Sequence, residues 1–116
     1  MAYIKPYNVI VAGIGGQGVY TLTRILWELS EQCGCHFTGA IFKGGAQRMG
    51  TVYSEVRIFP DQNSEYSLYS TEIPHNDCDL LIGLEPWESL RYRAFIGKKT
   101  TLIINSNHEP FFLERT

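Results

Sequence analysis

The sequence of 116 residues has no surplus of basic residues, and this lack excludes several classes of function. Ten lysines and arginines against twelve aspartates and glutamates give a net charge of -2, so there is no basic footprint for nucleic acid or for an anionic membrane surface. No apolar run has the roughly 18 residues of a membrane span, and no apolar signal segment stands near Met1. We therefore expect a cytoplasmic protein whose partners include neither nucleic acid nor a membrane.

Cysteine is also scarce, with only Cys33, Cys35 and Cys78. The odd number argues against a disulfide framework, and three thiols are too few for a four-cysteine iron–sulfur site. His36 beside Cys35 adds one more donor atom, but no spacing brings Cys78 to that pair. We expect the cysteines to be structural and expect no metal ligand on this chain.

The first part of the chain has the pattern of a strand, a helix and a second strand. Asn8 to Ile14 is a continuous apolar run, which is typical of a strand buried under helices on both faces. An apolar stripe at helical spacing follows and ends before Gly34, and Phe37 to Phe42 forms a second apolar run. The stripe consists of Val19, Leu22, Leu26, Leu29 and Cys33. The pattern predicts a Rossmann-like βαβ unit.

The next part alternates between polar and apolar residues. Thr51 to Phe59 predicts a strand with one wetter face, on which we place Tyr53, Glu55 and Arg57. After a turn, Glu65 to Ser70 is expected to pair back on that strand as a hairpin. A hairpin makes the sheet mixed.

The remaining pattern adds two strands and a helix. Asp79 to Leu84 predicts a buried strand, a helix follows from Glu85-Pro86 until Gly97, and Thr100 to Asn105 predicts a last strand. We expect Glu85 and Glu88 to stabilise the start of that helix. Together these elements predict one α/β domain over residues 1–116, with three layers (α/β/α) around a mixed, mainly parallel sheet.

A glycine-rich loop, GIGGQG, joins the first strand to the first helix. Gly13, Gly15 and Gly18 satisfy G-x-G-x-x-G, so the loop can direct backbone N–H groups at an anion. A dinucleotide site also requires an acidic residue after the second strand, whereas Lys43 and Gly44 stand there. This argues against a nicotinamide dinucleotide, although Lys43 could meet a 2′-phosphate. The alternative is that the glycines only let the helix pack closely on the sheet.

A second glycine-rich segment, residues 43–50, follows the second strand and should emerge at the same edge of the sheet. It brings Lys43, Gln47 and Arg48 towards Gln17 of the first loop. Two cations between glycine-rich turns can bind a phosphate or a carboxylate. The alternative for Arg48 is a solvated side chain.

Four motifs together resemble the gamma subunit or domain of the 2-oxoacid:ferredoxin oxidoreductases, most closely the small subunit of the indolepyruvate enzymes. They are VIVAGIGGQGVYTLTRIL, GAQRMGTVYSEVRI, DLLIGLEPWESLRY and TLIIN, in this order between residues 8 and about 105. The positions that match the glycine motifs of the family are Gly13, Gly15, Gly16, Gln17, Gly18, Ala46, Gln47, Arg48 and Gly50.

The resemblance implies an enzyme that converts a 2-oxoacid, coenzyme A and oxidised ferredoxin into acyl-CoA, carbon dioxide and reduced ferredoxin. It implies that thiamine diphosphate and iron–sulfur clusters are held mainly by catalytic partner subunits, with no cofactor bound by this chain alone. We expect no catalytic residue here. The candidate binding residues are Gly15, Gly16, Gln17, Gly18, Lys43, Gln47 and Arg48, on a face that docks on the catalytic subunit and shapes the approach of coenzyme A.

The chain departs from the family in Lys43-Gly44-Gly45, where relatives often have His-Gly-Met, and in Arg48-Met49-Gly50, where they often have Arg-Gly-Gly. It is also shorter than the usual subunit, so we expect an open last strand and a partner that covers Phe111 to Leu113. Two alternatives stay open. One is a stand-alone nucleotide-binding or regulatory module, and the other is a purely structural assembly subunit.

Overall fold

The fold is built on a mixed sheet of five strands, in the order β2-β3-β1-β4-β5. The structure, a computed structural model, describes residues 5–44 and 50–106. The strands are β1 (Tyr7–Ile14), β2 (His36–Lys43), β3 (Thr51–Phe59), β4 (Cys78–Gly83) and β5 (Ile96–Ile104). The helices are α1 (Val19–Gln32) and α2 (Pro86–Ser89), with 3₁₀ segments at Ser64–Leu68 and Leu90–Phe95.

Four of the strands run in one direction and β3 runs against them. β1 pairs in parallel with β4, and β4 with β5, whereas β3 is antiparallel to both β1 and β2. The mixed sheet confirms the predicted α/β class. The expected βαβ unit is split, however, because β3 lies between β1 and β2 and the two parallel strands are not neighbours.

Helical segments cover both faces of the sheet, which gives the predicted three layers. Alternate residues of β1 point to opposite faces. Val9 and Val11 pack against the α1 side, where Leu22 and Leu26 lie. Ile10, on the opposite face, packs in the cluster that contains Tyr92 of the 3₁₀ segment after α2. The central strand is therefore buried on both faces, as its continuous apolar run predicts.

Only the first half of the predicted apolar stripe on α1 packs on the sheet. Val19 is buried and Leu26 is partly buried, but Leu29 is 52% exposed and Cys33 is exposed. The helix ends where Gly34 adopts φ +74° and donates its N–H to the Glu31 carbonyl oxygen. The stop at Gly34 is confirmed, whereas the stripe was predicted one turn too long.

The prediction that one face of β3 is solvated is wrong, because on that face Arg57 is only 4% exposed and Glu55 only 8%. Arg57 belongs to a polar network at the end of β1 remote from the glycine loop. Its Nε donates to Asn8 Oδ1 at 3.0 Å, and the Asn8 amide nitrogen donates to the backbone oxygen of Asp77 at 2.9 Å. The alternation of charged and apolar residues indicated the strand but not what covers it.

An ion pair extends this network to β5. The Lys99 ammonium lies 2.7 Å from Asp77 Oδ1. Burial alone would raise the pKa of Asp77, but hydrogen bonds from Lys99 and Lys5 outweigh burial and lower that pKa. The ion pair therefore favours the charged carboxylate in the folded chain.

Two predicted elements differ in kind from those observed. Glu65 to Ser70 is not a hairpin arm, since the chain forms a 3₁₀ segment there that begins when Asn63 Oδ1 accepts the Glu65 N–H at 2.9 Å. The helix predicted from Glu85-Pro86 to Gly97 has a single α turn followed by a 3₁₀ segment, with non-helical dihedrals at Tyr92. In both places local capping and kinking determine the conformation.

The last strand lies at an edge of the sheet. Among the residues that the structure describes, β4 is the only strand that pairs with β5. In β5, the side chains of Leu102, Ile103 and Ile104 are 50%, 56% and 40% exposed. The open edge agrees with the sequence prediction, but the strand begins at Ile96, so Gly97 lies inside it.

Phe111 to Leu113 lie outside the described residues, so the expectation that a partner covers them stays a prediction. Within the described ranges, no helix combines the length and the apolar character that crossing a membrane requires.

Candidate functional site

The first glycine loop is a tight connection between β1 and α1. The Gln17 N–H donates to the Ile14 carbonyl oxygen at 3.1 Å, which closes a turn. In return the Ile14 N–H donates to Gln17 Oε1 at 2.8 Å. The Gln17 side chain therefore stabilises the conformation of the loop, and its Oε1 atom is occupied by the hydrogen bond from Ile14.

The glycines of this loop serve two different needs. Gly16 and Gly18 adopt φ of +90° and +101°, a region that side chains disfavour, and a Cβ at either position would meet no atom within 4 Å. At Gly13 the need is space, since a Cβ there would lie 3.0 Å from Gln17 Oε1 and from Val19 Cγ2. Close packing thus explains Gly13, whereas Gly16 and Gly18 give the loop a left-handed backbone that is exposed at Gly16 and partly exposed at Gly18.

One described end of the second glycine-rich segment bonds to the first loop, and the other bonds to the start of β3. The Gly44 N–H donates to the Thr51 carbonyl oxygen at 2.9 Å, and the Gly15 N–H donates to the Gly50 carbonyl oxygen at 2.9 Å. The described ends of the second segment therefore lie at the same edge of the sheet as the first loop, as its position after β2 predicted. Gln47 and Arg48 lie outside the described residues, so their binding roles stay predictions.

A cleft of about 430 Å³, which we call the glycine cleft, lies between the first loop and the adjoining ends of β2 and β3. It is lined by Gly15, Gly16, Gly18 and Lys43, together with the first turn of α1. These are four of the seven predicted binding residues. Gln17 contacts the loop backbone and does not line the cleft.

The charge in the glycine cleft suits an anionic group. The first turn of α1 contains no acidic residue and no side chain caps it, so its N–H groups and the positive end of the helix dipole face the loop. Lys43 adds a full positive charge at the end of β2. A phosphate or a carboxylate is the chemistry that such a cleft accepts.

The two acidic residues near the same edge of the sheet are structural, as predicted. Glu85 caps α2, since its Oε1 accepts the Glu88 N–H at 2.8 Å, and it is only 1% exposed. Glu88 pairs with Arg91 through contacts of 3.0 and 3.1 Å. The second oxygen of Glu85, Oε2, is buried without a hydrogen-bond partner among the described residues.

The sequence profile of the pyruvate ferredoxin/flavodoxin oxidoreductase family matches residues 8–116. The chain belongs to this family. The resemblance drawn from the four motifs is thereby confirmed.

Curated relatives in the family carry the name indolepyruvate oxidoreductase subunit IorB. The chain is 36% identical over 99 residues to the subunit from Archaeoglobus fulgidus, covering 85% of this chain and 46% of that protein. It is 29% identical over 107 residues to the subunit from Thermococcus kodakarensis, covering 92% of this chain and 50% of that protein. The chain spans about half the length of these relatives.

Solved structures from the family share the fold. The pyruvate oxidoreductase subunit PORC from Thermotoga maritima aligns with a TM-score of 0.63 at 16% identity, covering 96% of this chain and 56% of that one. The gamma subunit of a keto/oxoacid ferredoxin oxidoreductase from Geobacter sulfurreducens aligns with a TM-score of 0.63 at 23% identity, covering 90% and 56%. At these identities the likeness concerns the fold alone.

An iron–sulfur cluster, which the resemblance implied for the complex, does not fit the donor atoms of this chain. A cubane cluster needs four cysteine ligands, and the chain has three. Cys78 lies in the core, with its thiol hydrogen-bonded to the Leu80 carbonyl oxygen at 3.1 Å, while Cys33 is exposed on the other side of the sheet from that core cluster. Across residues 5–44 and 50–106, no three His, Cys, Asp or Glu side chains converge on one point.

One candidate site that the sequence analysis did not predict lies on the face of the sheet covered by α2. Arg57 and Glu55 line an open groove there and are buried, although their spacing indicated a solvated strand face. A hint was present in the sequence. Asn8, the first residue of the run that predicted β1, is a polar residue at a position that a sheet buries, and such a residue requires a partner.

Proposed function

We propose that the chain acts as the small subunit of a thiamine diphosphate-dependent 2-oxoacid:ferredoxin oxidoreductase. This enzyme converts a 2-oxoacid, coenzyme A and oxidised ferredoxin into acyl-CoA, carbon dioxide and reduced ferredoxin. Family membership over residues 8–116 and the names of the curated relatives support the proposal. The iron–sulfur clusters would be held by the catalytic partner subunits, because this chain has only three cysteines, and the resemblance implies the same for thiamine diphosphate.

We propose further that the glycine cleft is the docking face. The observation that carries this proposal is the backbone at Gly16, which is exposed, and at Gly18, which is partly exposed. Both have positive φ, and a Cβ added at either would meet no atom within 4 Å. Close approach of another backbone or of a ligand is one of the uses of such glycines. Lys43 and the first turn of α1 add the charge that an acidic partner loop or a phosphate of coenzyme A would meet.

The rival proposal, a stand-alone dinucleotide-binding module, is less well supported. In a dinucleotide fold the second strand lies beside the first and carries the acidic residue that binds the ribose. Here β3 separates β2 from β1, so the end of β2 is two strand spacings, about 9.6 Å, from β1. That end carries Lys43 and no carboxylate. We expect the isolated chain to bind neither NAD nor NADP, and calorimetry showing micromolar binding would favour the rival.

The role of Lys43 can be tested in the assembled enzyme. We expect Lys43→Ala to raise the KM for coenzyme A, or to weaken binding to the catalytic subunit, by about tenfold, the effect of losing one charge-assisted contact. The matched control is Lys98→Ala, which removes another exposed lysine, from β5. If both variants retain the wild-type KM and subunit affinity, Lys43 has no part in docking or in the coenzyme A approach.

The role of the glycine backbone can be tested with a second matched pair. Gly16→Val places a side chain on the docking face, whereas Gly34→Val introduces a comparable local strain at φ +74° at the far end of α1. We expect Gly16→Val to impair assembly and activity while Gly34→Val retains both at permissive temperature. Full yield of an active complex with Gly16→Val would indicate that the glycines of the loop serve only for packing within this chain.

A further inference from the structure

A groove of about 640 Å³ lies on the α2 face of the sheet, remote from the glycine cleft. Its floor is the face of β3 that carries Tyr53, Glu55 and Arg57. The segment 69–75 forms one side, and Phe95 contributes to the other. The volume falls within the range of small-molecule sites. We call it the β3 groove.

Arg57 lines this groove and is only 4% exposed, yet its described hydrogen bonds do not use all of its N–H donors. Its Nε donates to Asn8 Oδ1, and its Nη1 donates to the carbonyl oxygens of Ser70 at 2.7 Å and Glu72 at 3.3 Å. A guanidinium has five N–H donors, so the two on Nη2 are left. Among the described residues, no carboxylate oxygen lies within 4.0 Å of Arg57.

Glu55 is the buried acidic residue of the same groove, and it too lacks a counter-ion among the described residues. It is 8% exposed, and its Oε1 accepts the Ile73 N–H at 3.0 Å. No cationic group of the described chain lies within 4.0 Å of its carboxylate. A buried carboxylate and a buried guanidinium are each costly without a counter-ion, and here both lie on one strand face without pairing to each other.

We propose that the β3 groove binds a free α-amino acid. Glu55 and Arg57 are two residues apart on the same face of β3, so they stand about 6.6 Å apart along the strand. The ammonium and carboxylate groups of an α-amino acid are separated by a single carbon, so one ligand reaches both. The Glu55 carboxylate receives the ammonium group, and Arg57 Nη2 donates to the carboxylate.

The walls of the groove select a large aromatic side chain. Tyr53, His75 and Phe95 line it, and the His75 and Phe95 rings meet edge to face at 5.2 Å between centroids. Aromatic pairs favour such edge-to-face and offset geometries, which a third ring can join. Phenylalanine is accordingly the first ligand to test. This site is independent of the proposed docking face and of the enzyme's activity.

The ligand is tested by calorimetry on the full 116-residue chain with L-phenylalanine and two capped forms. N-acetyl-L-phenylalanine lacks the ammonium charge, and L-phenylalaninamide lacks the carboxylate. We expect each capped form to bind at least about tenfold more weakly than L-phenylalanine, because each loses one charge-assisted contact. No heat of binding with L-phenylalanine at millimolar concentration, or equal binding of all three, overturns the proposal.

Glu55→Gln provides the matching variant. Glutamine keeps the oxygen that accepts the Ile73 N–H, so the fold is retained, but it removes the charge that attracts the ammonium group. We expect Glu55→Gln to bind L-phenylalanine and its N-acetyl form with about equal affinity. Glu31→Gln, an exposed control on α1, should keep the wild-type preference for L-phenylalanine. An unchanged preference in Glu55→Gln overturns the proposal, and the wild-type ligand series decides it even if the variant fails to fold.

Discussion

Gly97→Ala should be one of the more damaging single-methyl changes in this chain. Gly97 lies near the start of β5, and a Cβ built there would overlap the carbonyl oxygen of Asn76 and lie 3.0 Å from its carbonyl carbon. The obstacle is backbone, and it is fixed on both sides. The Asn76 N–H donates to the Ala94 carbonyl oxygen at 3.0 Å, and the Gly97 N–H donates to Thr100 Oγ1 at 2.8 Å.

The cost follows from the stiffness of this contact. Relief of the overlap requires β5 to move away from the turn before β4, which would strain the Thr100 hydroxyl bonds to Gly97 and to the Cys78 carbonyl oxygen. Overpacking of this kind typically costs about 1–3 kcal/mol. In a domain of this size that is about 4 °C in Tm for each kcal/mol.

The assay is urea denaturation of Gly97→Ala beside Gly34→Ala. Gly34 has φ +74° and open space where a methyl group would be added, so its variant should lose only the strain of a left-handed residue, about 1 kcal/mol. We expect Gly97→Ala to lose clearly more than Gly34→Ala. A Gly97→Ala chain with wild-type stability would refute the reasoning, and it would favour the helix end that the sequence predicted at this position.

Three further predictions concern charge, thiols and capping. Because the pKa of Asp77 is lowered in the fold, its pairing with Lys99 stabilises the chain above the ordinary pKa of 3.8 and is lost as the pH falls through the folded value. The stability difference between wild type and Asp77→Asn, measured by urea denaturation, should therefore shrink from about pH 7 to about pH 3. Burial raises the pKa of Cys78 to about 11, so iodoacetamide should alkylate exposed Cys33 in the folded chain and Cys78 only after unfolding; equal rates by mass spectrometry would contradict this. Glu85→Ala should cost about 1–2 kcal/mol through loss of the α2 cap, whereas Glu85→Gln should be close to neutral, and equal losses in thermal melts would argue against the cap.

The elements with a strong local signal could be predicted from the sequence. The apolar run of β1, the helical stripe of α1 and the alternation of β3 placed these three elements close to their observed bounds. The insertion of β3 between β1 and β2 could not be predicted in this way, because strand pairing depends on contacts distant in sequence. The same limit applies to Gly97, whose surroundings come from Asn76 in a separate connection.

The candidate site shows the same division. The positions after β1 and β2 predicted that Gly15, Gly16, Gly18 and Lys43 lie at one edge, as they do, because the carboxyl ends of parallel strands meet there even when the strands are not neighbours. Their binding roles stay predictions. The glycine motif did not show that Gln17 would be used within the loop. Burial of Arg57 was missed since charge on alternate strand residues normally indicates solvent, and only the segment that covers the strand reveals otherwise.

Hydrogen exchange of this chain with and without the proposed catalytic partner subunit tests the central claim most directly. The claim is that the glycine cleft is the face that meets the partner. We predict that assembly slows amide exchange across Gly15–Gly18 and the first turn of α1, and leaves unchanged the rate of the buried strand β1, which we expect to be slow in the free chain as well. A stable complex in which the loop exchanges as fast as in the free chain, with new protection confined to other surfaces, would contradict the account.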